Sequence, residues 1–231
     1  GGGGATPART TVRVPAPEED RIYPFHANPA AVLEAMRRVD AAPAFLAEEN
    51  ARVGLRRRLE AACPALALPQ NRGLFWVHAL DVFDCRMSHQ LLLPSLLTPD
   101  DREPVKTFLS WRYKHRCQDG HLLQLLTRTM LDVVEGHVVR TKSHSSATTG
   151  RGPALRIYGA HDVTLVCLVH ALFAASDSSK NSSLWAPTII NLAFEKHEKE
   201  GWWPEYGSAL ALEIYYNNGD HKPSITARFL L

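Results

Sequence analysis

The chain has 231 residues, is 45% hydrophobic and 22% charged, and carries a net charge of only +2 with its histidines neutral. That balance fits a globular protein with a sizeable core, either one large domain or one domain with a smaller lobe, and offers no broad basic surface for nucleic acid. No run approaches the roughly 20 apolar residues that a membrane helix requires, and no signal-peptide pattern opens the chain. Because the sequence starts at Gly1-Gly2-Gly3-Gly4 with no Met, its native N-terminus is expected to lie elsewhere.

In chain order, residues 1–10 read as a flexible segment and residues 11–14 as a short strand stopped by Pro15 and Pro17. Asn28-Pro29, a capping residue followed by proline, opens a helical segment reaching about Cys63, which Pro43 divides into two helices. Arg56-Arg57-Arg58 beside Glu60 reads as a solvated helix face. A third helix is expected over residues 74–89. A fourth starts at Thr98-Pro99-Asp100-Asp101, with cap, proline and acidic first turn. The fifth follows Gly120, where Leu122, Leu123, Leu126, Met130 and Val133 form a core stripe.

Residues 141–153, "TKSHSSATTGRGP", read as an exposed loop. Residues 155–158 then suit a strand, Gly159-Ala160-His161-Asp162 a turn, and the apolar run after it a helix. The polar loop "SDSSKNSS" holds the sequon Asn181-Ser182-Ser183, which marks Asn181 for glycosylation. Strands follow over 189–194, 209–216 and 224–231, with a turn signal at Asn218-Gly219 and with Trp202-Trp203 as a packing cap over the terminal sheet. These elements give an α/β fold with a helical lobe over about 29–140 and a strand-helix core with terminal strands over 154–231. A single parallel strand makes no sheet, so the partners of residues 155–158 are expected from outside this sequence.

The four cysteines, Cys63, Cys85, Cys117 and Cys167, lie far apart without zinc-finger spacing. His115, Cys117 and His121 lack a fourth ligand and adjoin a core-like helix, so they read as structural. The junction at residues 159–162 carries more chemistry. At a strand exit followed by a helix, unpaired N–H groups and the positive end of the helix dipole favour an anion. His161 is placed to donate to a phosphate oxygen and Asp162 to give a proton to a departing alkoxide, while Gly159 lets the backbone turn sharply. The same junction also reads as purely structural, since Asp caps helices and His tolerates turns.

Gly159-Ala160-His161-Asp162-Val163-Thr164-Leu165 resembles the S-A-H-D-T-T-L motif of the histidine acid phosphatases. "FDCRMSHQLLLPSLLTPD", "RCQDGHLLQLL", "LAFEKHEKEGWWPEYGSALALEIYYNN" and "TVRVPAPEEDRIYPF" resemble other stretches of that family in the right order, over most of the chain. The resemblance implies a phosphoglycerate-mutase-like fold and hydrolysis of phosphomonoesters through a phosphohistidine. It makes Asp162 the general acid and His161 a phosphate ligand, needs no metal or cofactor, and implies a secretory, lysosomal or extracellular setting. In the family the nucleophile lies in an R-H-G-x-R-x-P motif, and that string is absent here, as is the later arginine motif. The expectation is therefore a C-terminal portion of a longer phosphatase, inactive alone. The alternative is a non-catalytic phosphatase-like remnant serving as an interaction or anion-binding module. Cys85 matches a family position that often forms a disulfide, but residues 185–189 contain no Cys to pair with it.

Overall fold

A computed structural model describes residues 16, 20, 22–23, 28–68, 74–145, 157–177, 202–215 and 224–230. Asn28 caps α1 (Pro29–Asp40), its Oδ1 accepting from the Ala31 N–H at 3.3 Å, and Pro29 takes the first helical position. Val32, Ala35, Met36 and Val39 fall on one face, and all four are buried. Pro43 opens α2 (Pro43–Ala51) because the residue before it, Ala42, is held extended.

The segment does not end as two helices. A second break at Arg52 separates α3 (Val53–Ala62), and there Arg52 turns back to donate to the Glu48 carbonyl at 3.0 Å and sits 4.4 Å over the Phe108 ring. The basic run on α3 is also less solvated than its composition suggests. Arg56 bonds Glu60 at 2.8 Å and covers the Phe75 ring, and Arg58 pairs with Asp101, leaving Arg57 facing water.

A 3-10 turn at Pro64–Ala67 precedes α4 (Phe75–Ser88). Thr98 then closes a capping box, its N–H and Oγ1 both donating to Asp101 Oδ2, so the chain enters α5 (Arg102–Cys117) through a 3-10 turn at Pro99–Asp101. Asp119 Oδ1 accepts from the Leu122 N–H at 2.8 Å at the start of α6 (Gly120–Ser145). Leu122, Leu123, Leu126 and Met130 are buried as their spacing predicts, and Val134 rather than Val133 completes the stripe. The helix continues through residues 141–145, which read as loop from composition. That stretch has lost its apolar period but contains no Gly or Pro to stop a helix already under way.

After α6 come α7 (Asp162–Asp177), β1 (Ala209–Tyr215) and β2 (Ser224–Leu230). The two strands pair antiparallel with Leu212 opposite Ala227, and Leu210 and Leu212 pack against Met130, Val134 and Leu168 of α6 and α7. Among the described residues the fold is thus mostly helical, with one two-stranded sheet. Ile157 and Tyr158 are not in a strand, and Ile157 is 84% exposed. A strand exists only beside a neighbour, and no described residue runs alongside these two. The expected strands at 11–14 and 189–194, the Asn218-Gly219 turn and the sequon at Asn181 lie outside the described residues. No helix among the described residues is long and apolar enough to cross a membrane.

The main core gathers α1, α4, α5 and α7 around Phe83, Trp76, Phe108, Tyr113 and Val166. Beside it α5 buries two guanidinium groups. Arg116, 1% exposed, donates to Asp40 at the end of α1 through Nε at 3.0 Å and Nη2 at 2.5 Å, while Arg112 reaches the same carboxylate at 3.4 Å and also pairs with Glu49. Removing the carboxylate from such a cluster strands buried cations, whereas an exposed pair contributes little. Asp40→Ala is therefore expected to lower the unfolding free energy by about 3 kcal/mol. Glu34→Ala, which breaks the solvent-exposed pair with Arg37, should lower it by less than about 0.5 kcal/mol. Urea denaturation of both variants checks the contrast.

Candidate active site

The first turn of α7 borders a cleft of about 510 Å³. His161 is the N-cap residue, its carbonyl accepting from the Thr164 N–H at 3.0 Å, so Asp162 stands at the first helical position and is not the cap. This places both predicted residues on the cleft wall. Asp162 Oδ1 accepts from the Val163 N–H at 2.7 Å, and Oδ2 accepts from the Trp203 indole N–H at 3.0 Å. His161 is exposed, and its ring lies 4.7 Å from that of Tyr23.

The segment carrying Tyr23 is tied down at two points. Asp20 Oδ1 accepts from the backbone N–H groups of Ile22 and Tyr23, and the buried Thr164 hydroxyl donates to the Ile22 carbonyl at 3.1 Å. Gly159 does not make the sharp turn that its sequence context suggests. It has no positive φ, and a Cβ there would meet nothing within 4 Å. The glycine that does need its freedom is Gly207, at φ +85°, in the turn that brings Glu205 and Tyr206 to the cleft before β1.

Trp203 departs most from its expected role. It does not cap the terminal sheet. It is buried in the helical core, its ring edge-on to Tyr113 at 5.3 Å, and its one polar atom is spent on Asp162. Tyr113 is in turn covered by the Arg116 guanidinium at 5.3 Å. Aromatic composition alone gives no means of telling a ring that packs on strands from one that packs on helices.

The other wall comes from α4, where His78, Asp81 and Cys85 recur at helical spacing toward the cleft. Tyr206 donates to Asp81 Oδ1 at 3.2 Å, and its hydroxyl lies 3.6 Å from Cys85 Sγ. Cys85 is a free, exposed thiol. Neither Asp81 nor Tyr206 was among the expected site residues. The polar stripe of α4, three residues at i, i+3 and i+7, is the signal that marks Asp81.

Electrostatically the cleft is acidic. Asp84 is held by Arg102 at 2.5 Å, and Glu205 by Arg102 and Lys106, so those charges are compensated. Among the described residues Asp81 and Asp162 have no such cation. Burial and the charge of Asp162 raise the Asp81 pKa above the ordinary range, with the Tyr206 hydrogen bond opposing them. Burial likewise raises that of Asp162 against the opposing Val163, Trp203 and His161 interactions. Among the described residues no lysine or arginine lines the cleft, so its only basic groups are His78 and His161. No group of three His, Cys, Asp or Glu side chains is placed to hold a metal ion among the described residues, and His115 instead stacks on Trp111 at 5.3 Å.

Compared with known proteins, the chain matches no family model, no curated protein and no solved structure.

The raised pKa fixes the sign of a pH effect. Between its unfolded and folded values Asp162 holds its proton in the folded state and loses it in the unfolded chain, so stability falls as pH rises through that window. Asp162→Asn removes this ionisation and also relieves Asp81. The unfolding free energy of the variant minus that of the wild type should therefore increase from about pH 3 to about pH 7. Urea titrations across that range test this, and a flat or decreasing difference would contradict the assignment.

Proposed function

We propose that this chain supplies the proton-donor side of a phosphomonoester hydrolase of the histidine acid phosphatase type, with Asp162 as general acid and His161 as a phosphate ligand. The attacking imidazole and the arginine clamp then come from residues outside this sequence, and the chain alone is inactive. The observation that carries this reading is the half-buried Asp162 carboxyl at the mouth of α7, in an open cleft, with its pKa raised by burial.

The chemistry suits that position. An alkoxide is a poor leaving group, and an acid that protonates it as the P–O bond breaks lowers the barrier. Burial favours the protonated form of Asp162, and a phosphate dianion nearby would favour it further. Once the proton has moved, the Val163 and Trp203 N–H groups stabilise the carboxylate left behind. His161, exposed beside Tyr23, is free to turn an N–H toward a phosphate oxygen. The finer fold in this proposal is the α/β histidine phosphatase fold with a helical lobe, in which residues 155–158 would form a parallel strand with neighbours supplied from elsewhere.

A second reading is a non-catalytic phosphatase-like module that binds a protein partner. It is favoured by the exposed apolar surface formed by Met87 at the end of α4 and by Leu91, Leu92 and Leu96 in the loop after it, with Leu92 88% exposed.

Leaving-group dependence separates the two. In a protein that also carries an R-H-G-x-R-x-P segment, Asp162→Asn should slow hydrolysis of glycerol phosphate on the order of 100-fold or more, and that of p-nitrophenyl phosphate far less. Equal slowing of both esters would remove the proton-donor role. Turnover of either by the present chain alone would contradict the missing nucleophile.

A further inference from the structure

The cleft wall on α4 holds a carboxylate whose partners are incomplete. Asp81 is half-buried, and the Tyr206 hydroxyl donates to its Oδ1 at 3.2 Å. Among the described residues its Oδ2 accepts no hydrogen bond and no lysine or arginine pairs with it. The other carboxylates of the cleft are provided for: Arg102 holds Asp84, Arg102 and Lys106 hold Glu205, and two N–H groups occupy the oxygens of Asp162. A second group points the same way. Ser208 lines the same cleft, and its Oγ is buried with no hydrogen-bond partner among the described residues. A buried polar atom left in that state is costly unless a ligand or solvent satisfies it.

We infer that the cleft binds a protonated organic amine, with the ammonium group held by Asp81 and the apolar body lying along the walls. An ammonium supplies what the cleft lacks, a positive charge and N–H donors for the two oxygens that have none, Asp81 Oδ2 and Ser208 Oγ. Partial enclosure strengthens such a charge pair relative to one in open water. Leu74, Val77, Leu80 and Tyr23 give the walls apolar surface, and about 510 Å³ is room for an aryl-alkyl amine. Tyr206 adds a further attraction. Its ring is 68% exposed and stands beside the carboxylate that its hydroxyl bonds, where an aromatic face favours a cation.

A metal ion is a poorer occupant of the same charge, since among the described residues no three His, Cys, Asp or Glu side chains are placed to hold one. Burial and the charge of Asp162 already penalise the ionised form of Asp81, with the hydrogen bond from Tyr206 and the neighbouring His78 opposing them. A cation arriving from solution relieves that penalty. None of this depends on the phosphatase reading, because an amine without phosphate occupies the site and the present chain alone binds it.

The test titrates the nitrogen-15-labelled full chain at neutral pH and low salt with 2-phenylethylamine and, separately, with the uncharged 2-phenylethanol. The amine should shift the backbone amides of Asp81, Tyr206 and Ser208 saturably, with a Kd below about 5 mM. The alcohol should bind at least about fivefold more weakly, which reads charge recognition in the unaltered protein whatever the variants do. Asp81→Asn should weaken the amine by a similar factor, while Glu34→Gln, on an exposed pair outside the cleft, should leave its Kd unchanged. No saturable shift up to about 20 mM amine would overturn the proposal. So would a smaller difference between amine and alcohol, or an Asp81→Asn protein that folds and binds the amine as tightly as the wild type.

Discussion

The cleft depends on a buried guanidinium that cannot be left without its carboxylate. Asp40 closes α1 and binds Arg116 through two hydrogen bonds, which fixes α5 against α1 at the one place where a mispaired charge would be most costly. Arg116 covers Tyr113, Tyr113 seats Trp203, and Trp203 donates to Asp162. Each link is a short-range contact between rigid or fully buried groups. The position of a half-exposed carboxyl in the cleft is thereby set by an ion pair on the far side of α5.

This arrangement leaves Asp162 both desolvated and open to the cleft. A carboxyl sealed completely would hold its proton but could not deliver it, and one in open water would lose it far below neutral pH. Asp162 lies between these limits. Its environment penalises the charge, while two N–H donors make the charged form tolerable once it appears. Among the described residues the cleft around it is short of cations. Lys106 and Arg102, the nearby basic side chains, are committed to Glu205 and Asp84. An anion entering the cleft would meet a histidine and an aspartate on each wall, His161 and Asp162 at α7 and His78 and Asp81 on α4, and no lysine or arginine among the described lining residues.

Local signals in the sequence were reliable where a backbone group needed a specific partner. Asn28-Pro29 and Thr98-Pro99-Asp100-Asp101 start helices because their side chains satisfy N–H groups that no helix can satisfy for itself. The apolar spacing of Leu122, Leu123, Leu126 and Met130 found the buried face of α6 for the same local reason. What sequence could not supply was anything decided by a distant neighbour. Arg52 at the break between α2 and α3 packs on Phe108, the role of Trp203 depends on Tyr113 and Asp162, and Asp81 matters because α4 lies opposite α7 across the cleft. His161 and Asp162 were legible because two adjacent polar residues at a turn before an apolar helix stand out, but their hydrogen bonds were not.

The most direct test is a carbon-13 NMR titration of the Asp162 side-chain carboxyl in the wild-type chain. The account requires its midpoint to lie above the ordinary aspartate value of 3.8. A midpoint at or below that value would mean that the Val163 and Trp203 donors outweigh burial, and that Asp162 is an ordinary helix-end carboxylate with no proton to give.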